Sequence, residues 1–162
     1  MRIGLDARPT QGRFTGDATY WRGLIEGLSR IEVEDGIILY FDPKLPDPQM
    51  KLEKEFASRN VSAANWRLWS LVSFPSALKK DCADLGHVQY SLPPTMPCPI
   101  VTTIHDVSFK RHPQFFTWKD RTILDSAVKR ANKKAARILT VSEFQKREMM
   151  ELYGIAPEKI AV

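Results

Sequence analysis

The stretch Pro99-Ile100-Val101-Thr102-Thr103-Ile104-His105-Asp106 is the segment of this chain that best indicates its fold. Its apolar and β-branched residues, set off by proline, predict a buried strand. The strand ends abruptly at an imidazole beside a carboxylate. In open α/β sheets, ligands bind just beyond the carboxyl ends of the strands. We therefore expect His105 and Asp106 to project where a ligand binds; the alternative is a structural histidine that satisfies a carbonyl at the strand end.

Strand-like and helix-like segments alternate outward from this stretch. The predicted strands are residues 2–7, 36–41, 86–91, 137–141 and 159–162, besides the strand at Ile100. The predicted helices are one that begins near Asp17 and four more at residues 50–58, 76–83, 118–135 and 143–153. This alternation predicts an α/β fold, a Rossmann-like doubly wound and mostly parallel sheet with helices on both faces.

Capping residues set the expected helix ends. Asp17 is the predicted N-cap of the first helix, and Ser142 is that of the last. Gly154 is expected to end the last helix, because glycine readily adopts the left-handed conformation. Residues 65–71, which include Trp66 and Trp69, are expected to be strand-like or irregular.

Composition restricts the class of protein. A chain of 162 residues with 43% hydrophobic and 27% charged residues fits a single globular domain. No apolar run approaches the ~20 residues that span a bilayer, and the N-terminus has no apolar segment of the signal-peptide kind. Two cysteines do not make a disulfide framework and suit a reducing compartment. A cytoplasmic location is therefore expected.

The positive charge is unevenly distributed. Residues 1–100 carry equal numbers of acidic and basic side chains, so the net charge of +5 lies in residues 101–162. At about 100° per residue, five cations fall within an arc of about 140° on the predicted helix: Lys129, Arg130, Lys133, Lys134 and Arg137. This face indicates an anionic acceptor or a peripheral membrane contact; the alternative is an ordinary solvated face. Nucleic acid is not expected, because the aromatic residues do not interleave with these cations.

A glycine loop precedes the first helix. Residues 11–17, Gln-Gly-Arg-Phe-Thr-Gly-Asp, could present backbone N–H groups to a phosphate. The loop matches neither a P-loop nor the dinucleotide fingerprint, and Asp17 would oppose an anion. A plain strand-to-helix turn is the alternative.

No metal centre or cofactor is expected. Cys82, His87 and Cys98 have no zinc-site spacing and lack an evident fourth ligand.

Four segments together resemble the N-terminal domain of a family-4 (group 1) glycosyltransferase with the two-domain GT-B fold. They are residues 2–8, the Thr15-Gly16 loop followed by Tyr20 and Leu24, residues 97–106, and residues 135–144 with their continuation at 153–160. The resemblance spans nearly the whole chain and is densest from residue 97 onward.

The resemblance implies a retaining transfer of a sugar from a nucleotide-sugar to a glycan or lipid-linked acceptor, as in polysaccharide biosynthesis. His105 would lie near the transferred sugar, and Asp106 would orient the sugar or the acceptor. Thr15 and Gly16 would approach the donor diphosphate, and Ser142 and Glu143 would begin a helix that faces the substrates. The chain departs from the family pattern at Ala18 and Thr19, where a glycine and an arginine are often found.

Residues 1–162 would then form a single acceptor-side domain. The chain ends inside a predicted strand, which suggests that more polypeptide follows. A C-terminal domain that binds the nucleotide-sugar and carries paired glutamates is absent from this sequence, so we expect the isolated domain to be inactive. The alternative is a non-catalytic α/β module that binds a ligand or a partner.

Overall fold

A computed structural model describes residues 1–12, 15–32 and 34–162. The chain forms two compact units, Met1–Gly86 and His87–Val162. The described residues contain seven strands: β1 (Arg2–Asp6), β2 (Gly36–Phe41), β3 (Ala57–Asn60), β4 (Leu85–Gln89), β5 (Ile100–Thr103), β6 (Arg137–Leu139) and β7 (Ile160–Ala161). The strand order is β3-β2-β1-β4-β5-β6-β7. The first six strands of this sheet follow the doubly wound Rossmann order, which confirms the predicted fold class.

Three parallel strands form the sheet of the first unit. β1 pairs with β2 from Arg2↔Gly36 to Asp6↔Tyr40, and β2 pairs with β3 from Ile38↔Ala57 to Phe41↔Asn60. Four consecutive residues of β2, Ile37 to Tyr40, are buried. Continuous burial is expected of a parallel strand that is covered on both faces. Trp21 and Ile25 of the following helix pack on this sheet with Leu5 and Leu39.

Helix α1 (Gly16–Arg30) begins two residues earlier than predicted. Thr15 has the extended backbone of an N-cap, and its Oγ1 accepts a hydrogen bond of 3.3 Å from the Ala18 N–H. The prediction of Asp17 as N-cap is therefore wrong. Asp17 lies in the first turn, where its negative charge is favourable near the exposed N–H groups. Arg13 and Phe14 of the predicted glycine loop lie outside the described residues.

Two further predictions in the first unit are wrong. The segment predicted as a helix at 50–58 contains none; Met50, Leu52 and Phe56 pack on the core, and the chain then enters β3. The segment predicted as irregular at 65–71 is helical, with α2 (Trp66–Leu68) continuing through a π-helical turn (Trp69–Ser73) into α3 (Phe74–Lys80). Asn65 starts this run, because its side chain accepts from the N–H groups of Arg67 and Leu68.

The second unit follows the predicted pattern closely. β5 pairs in parallel with β6, and β6 pairs in parallel with β7. The helices are α4 (Ser108–Arg111), α5 (Trp118–Lys134) and α6 (Glu143–Tyr153). Gly154 ends α6 at φ +61°, in the left-handed region that favours glycine. None of the helices in the described part of the chain is long and apolar enough to cross a membrane.

Gly4 of β1 provides a test of the packing in the first unit. A Cβ at this position would lie 2.2 Å from Leu78 Cδ2 and 2.9 Å from Tyr40 Cε2, and both of those side chains are fully buried. We expect Gly4→Ala to lower the free energy of unfolding by about 1–3 kcal/mol, because neither neighbour has room to move. Urea denaturation measures this change.

Gly23, on an exposed part of α1, is the matched control. A Cβ there meets no atom of the described residues within 4 Å, so Gly23→Ala should raise the stability by up to about 1 kcal/mol through helix propensity. Equal effects of the two substitutions would contradict the packing described for β1.

Candidate functional site at the carboxyl ends of β5 and β6

The end of β5 is fixed to β6 by hydrogen bonds that continue past the strand itself. The Ile104 N–H donates to the Leu139 carbonyl at 2.9 Å, and the Thr140 hydroxyl donates to the Ile104 carbonyl at 2.9 Å. The Thr140 N–H in turn donates to the Ala161 carbonyl of β7 at 2.9 Å. Thr140 and Ile104 are buried. These hydrogen bonds therefore fix the backbone just before His105, where the chain leaves the sheet.

His105 is half-buried and lies against Tyr90. The two ring centroids are 5.9 Å apart with the planes tilted at 47°. Tyr90 follows β4 with φ +53°, and its N–H donates to the Thr103 carbonyl at 3.0 Å. The structure thus places His105 at the end of a strand, as predicted, with an aromatic neighbour that orients its ring.

Asp106 organises the turn that follows. Its Oδ1 accepts from the Ser108 N–H at 2.8 Å and from the Ser108 hydroxyl at 2.5 Å. Its own N–H donates to the Tyr90 hydroxyl at 3.3 Å. These bonds hold the turn that leads from His105 into α4 at Ser108. α4 is also bound to α6, since Arg111 forms a two-pronged pair with Glu148 at 2.8 and 3.0 Å.

Ser142 caps α6, as predicted. Its hydroxyl accepts from the Gln145 N–H at 3.2 Å, while Glu143 lies exposed in the first turn. The Gln145 side chain accepts from the Val107 N–H at 3.3 Å. This contact brings the start of α6 together with the turn that carries His105 and Asp106. Four predicted site residues therefore belong to one hydrogen-bonded region of the second unit.

Gln145 is a site residue that the sequence reasoning missed. Ser142 and Gln145 have the spacing of a capping box, in which the second side chain normally returns to the N-cap N–H. Here that side chain bonds to Val107 instead. The spacing could have drawn attention to Gln145, but its partner depends on how β5 and α6 pack.

Thr15 and Gly16 belong to the first unit, where both are exposed. Thr15 serves as the N-cap of α1, and a Cβ on Gly16 would meet no atom within 4 Å. No packing in the described residues therefore requires glycine at position 16, and none of their atoms fills the space above it.

An ion pair closes the end of β1 in the same unit. The buried Asp6 carboxylate accepts from Arg8 Nε at 3.0 Å and from Nη2 at 2.7 Å. The guanidinium lies 4.4 Å above the Trp69 ring. This cluster is not predicted from the sequence, where its only signal is the Asp-x-Arg spacing at the end of a strand. It anchors the π-helical turn to the end of β1.

The predicted basic face is smaller than expected. Lys129, Arg130, Lys133 and Lys134 are exposed on α5, but Arg137 lies in β6 and its guanidinium donates to the Glu158 carbonyl at 3.0 Å. Its placement on a helical face is wrong, because α5 ends at Lys134 before an extended Ala135. Lys129 also forms an ion pair with Asp125 at 2.6 Å.

His87 is a buried structural histidine. Its Nε2 is 2.8 Å from the Thr103 hydroxyl, and burial lowers its pKa to about 4. The imidazole is therefore neutral near pH 7. Among the described residues, no group of three or more histidine, cysteine or acidic side chains could hold a metal ion.

The strand order and the polar residues at the strand ends define a Rossmann-like α/β domain with a candidate ligand site at the carboxyl ends of its strands. The family model described as Glycosyltransferase Family 4 matches residues 15–162. The chain therefore belongs to that glycosyltransferase family.

A solved structure is similar in fold. The crystal structure of Anabaena Alr3699/HepE in complex with UDP-glucose matches with a TM-score of 0.55 and 14% identity, over 99% of this chain. The match covers 42% of that protein, so this chain spans less than half of its length. Because the two sequences are only 14% identical, this similarity shows a shared fold and nothing more. A comparison with the curated proteins gives no match.

The pKa of His87 predicts how stability depends on pH. The folded protein holds the neutral imidazole, whereas the unfolded chain binds a proton near pH 6.5. The full stabilisation is therefore present above pH 6.5. The free energy of unfolding falls by about 3 kcal/mol as the pH falls from 6.5 toward 4. Histidine NMR should show His87 titrating near pH 4 in the folded protein.

His87→Gln is the control, because glutamine does not titrate but still offers a hydrogen bond to Thr103. Its stability should fall less than that of the wild type between pH 7 and pH 4. A His87 titration at the ordinary value would show that the ring is not buried as described.

Proposed function

We propose that this chain is the acceptor-side domain of a retaining glycosyltransferase, which moves a sugar from a nucleotide-sugar to a glycan or lipid-linked acceptor. The observation that carries the proposal is the fixed position of His105. This half-buried imidazole follows β5 directly and is framed by Tyr90 and by the turn at Asp106. The family match supports the glycosyl-transfer chemistry.

In this proposal His105 contacts the transferred sugar. An imidazole can donate or accept a hydrogen bond to a sugar hydroxyl at the pH of the cell. Asp106 is a positioning residue, because Ser108 already occupies its Oδ1 through two hydrogen bonds. By holding the turn, Asp106 fixes the backbone from which the His105 ring projects. Glu143, exposed beside the Ser142 cap, is available to an acceptor hydroxyl.

The leaving nucleoside diphosphate must be stabilised as its bond to the sugar breaks, and preorganised donors do this best. In the first unit, we assign contact with this diphosphate to the Thr15–Gly16 segment. Support comes from Gly16, where no atom of the described residues lies within 4 Å of the place that a Cβ would take, so that a phosphate could approach the backbone closely. No metal is required in this proposal.

We further propose that a second domain supplies most of the contacts to the nucleotide-sugar and the paired glutamates. Support comes from the coverage of the solved neighbour, of which this chain matches 42%. The 162-residue chain would then lack the paired glutamates and most of the contacts to the nucleotide-sugar, and would have no activity by itself.

The proposal places the enzyme in the cytoplasm, in peripheral contact with the inner face of a membrane or with an anionic acceptor. Arg130, Lys133 and Lys134 make no ion pair within the described residues and lie exposed on α5. Such a cluster attracts anionic headgroups over about a Debye length.

The test of the proposed function uses the full-length protein that carries this chain and compares His105→Ala with His112→Ala. His112 is an exposed histidine seven positions further along, outside the site. Release of nucleoside diphosphate from UDP-, GDP- and ADP-sugars in the presence of acceptor measures turnover. We expect His105→Ala to lower kcat by about 100-fold or more and His112→Ala to leave it within about twofold.

The 162-residue chain alone should give no turnover in the same assay. Robust transfer by this chain, or equal activity of the two histidine variants, would contradict the proposal. A folded chain that ignores every nucleotide-sugar, in a protein with no transferase activity at full length, would favour the non-catalytic module instead.

A further inference from the structure

The second unit has a recess outside the site described above. It lies between α4 and the first two turns of α5 and has a volume of about 300 Å³. Its lining residues are Phe109, Lys110, Trp118, Arg121, Thr122 and Asp125. This volume is at the lower end of the range for small-molecule sites, about 300–1,000 Å³, and suits a ligand of about one sugar ring.

Trp118 forms an aromatic wall of the recess. It is the first residue of α5, and 77% of its surface is exposed. The Thr122 hydroxyl donates to the Trp118 carbonyl at 2.8 Å, which ties the first turn of α5 together. An indole offers a flat apolar face with one polar N–H at its edge. Such a face is suited to stacking against the apolar side of a sugar ring.

Asp125 and Lys110 are already satisfied by the protein. Partial burial acts to raise the pKa of Asp125, but hydrogen bonds from Lys129, Tyr153 and Lys110 lower it below its ordinary value. The distances are 2.6 Å to Lys129 Nζ, 3.1 Å to the Tyr153 hydroxyl and 3.3 Å to Lys110 Nζ. The Asp125 charge is thus balanced within the protein and does not neutralise Arg121.

Arg121 is the cation that remains available in the recess. Arg121 follows Trp118 by three positions, and its side chain lines the recess. Within the described residues its guanidinium has no hydrogen-bond or ion-pair partner. Two cations and one anion line the recess, so its net charge is positive. A guanidinium fork binds a carboxylate through two parallel hydrogen bonds, a geometry that lysine does not offer.

We propose that this recess binds an acidic sugar residue of the uronic acid class. The ring would stack on the Trp118 indole, and its carboxylate would pair with the Arg121 guanidinium. The assignment of this sugar to the acceptor glycan rests on the proposed function, but the binding itself does not. A free phosphate would make no use of the indole.

The test labels the 162-residue chain with 5-fluorotryptophan and follows each residue by ¹⁹F NMR. The four tryptophans give an internal control, because Trp21 and Trp69 are fully buried and Trp66 is 59% exposed elsewhere, in the first unit. Methyl β-D-glucuronide is titrated against methyl β-D-glucoside, which carries a neutral hydroxymethyl group in place of the carboxylate. We expect a saturable shift of the Trp118 signal with the glucuronide and binding weaker by about tenfold with the glucoside.

Arg121→Gln should weaken glucuronide binding by about tenfold, whereas Arg130→Gln, on the same helix but outside the recess, should leave it unchanged. Unchanged signals of Trp21 and Trp69 would show that both variants are folded. These results would support the inference, whatever the transferase assay gives.

Four outcomes would overturn the inference. The first is no shift of the Trp118 signal with either sugar, and the second is equal binding of glucuronide and glucoside. The third is binding of inorganic phosphate as tight as that of glucuronide. The fourth is a Trp118 shift with phosphatidylserine vesicles but not with glucuronide. The third would indicate a simple anion site, and the fourth a lipid surface. None of them bears on the role of His105, so failure here and failure of the proposed function are distinguishable.

Discussion

The candidate site depends on the hydrogen bond from the Thr140 hydroxyl to the Ile104 carbonyl. Together with the bond from the Ile104 N–H to the Leu139 carbonyl, it extends the β5–β6 pairing one residue beyond the strand. The chain must turn directly afterwards, at His105. Asp106 and Gln145 then hold that turn to the starts of α4 and α6. An imidazole at the end of a short strand is thereby oriented by bonds to buried backbone rather than by a flexible loop.

Local signals were sufficient where a short segment determines its own structure. The bounds of β2 and of α6 were predicted to the residue, because the Ser142 cap and the left-handed Gly154 set the ends of the helix. Predictions failed where distant residues decide. Residues 57–60 form a strand because β2 offers them a pairing edge. The turn at Trp69 is helical where Arg8 and Phe74 pack against its ring.

The same distinction applies to the site. The residue types at the ends of β5 and β6 could be found from sequence, since apolar runs end there in His105 and Ser142. The contacts of Tyr90 and Gln145 could not, because residues far along the chain supply their partners. Periodicity also placed Arg137 on a helix that ends three residues earlier. The unpaired Arg121 beside Trp118 became visible only once α4 had packed against α5.

Native-state hydrogen exchange in Thr140→Val and Thr140→Ser tests the central claim most directly. Valine removes the hydroxyl that bonds to Ile104, while serine keeps it. If this bond holds the turn, the amides of Asp106 and Val107 should exchange about tenfold faster in Thr140→Val and at the wild-type rate in Thr140→Ser. Unchanged exchange of both amides in Thr140→Val would contradict the account, because the His105 turn would then be held by other contacts.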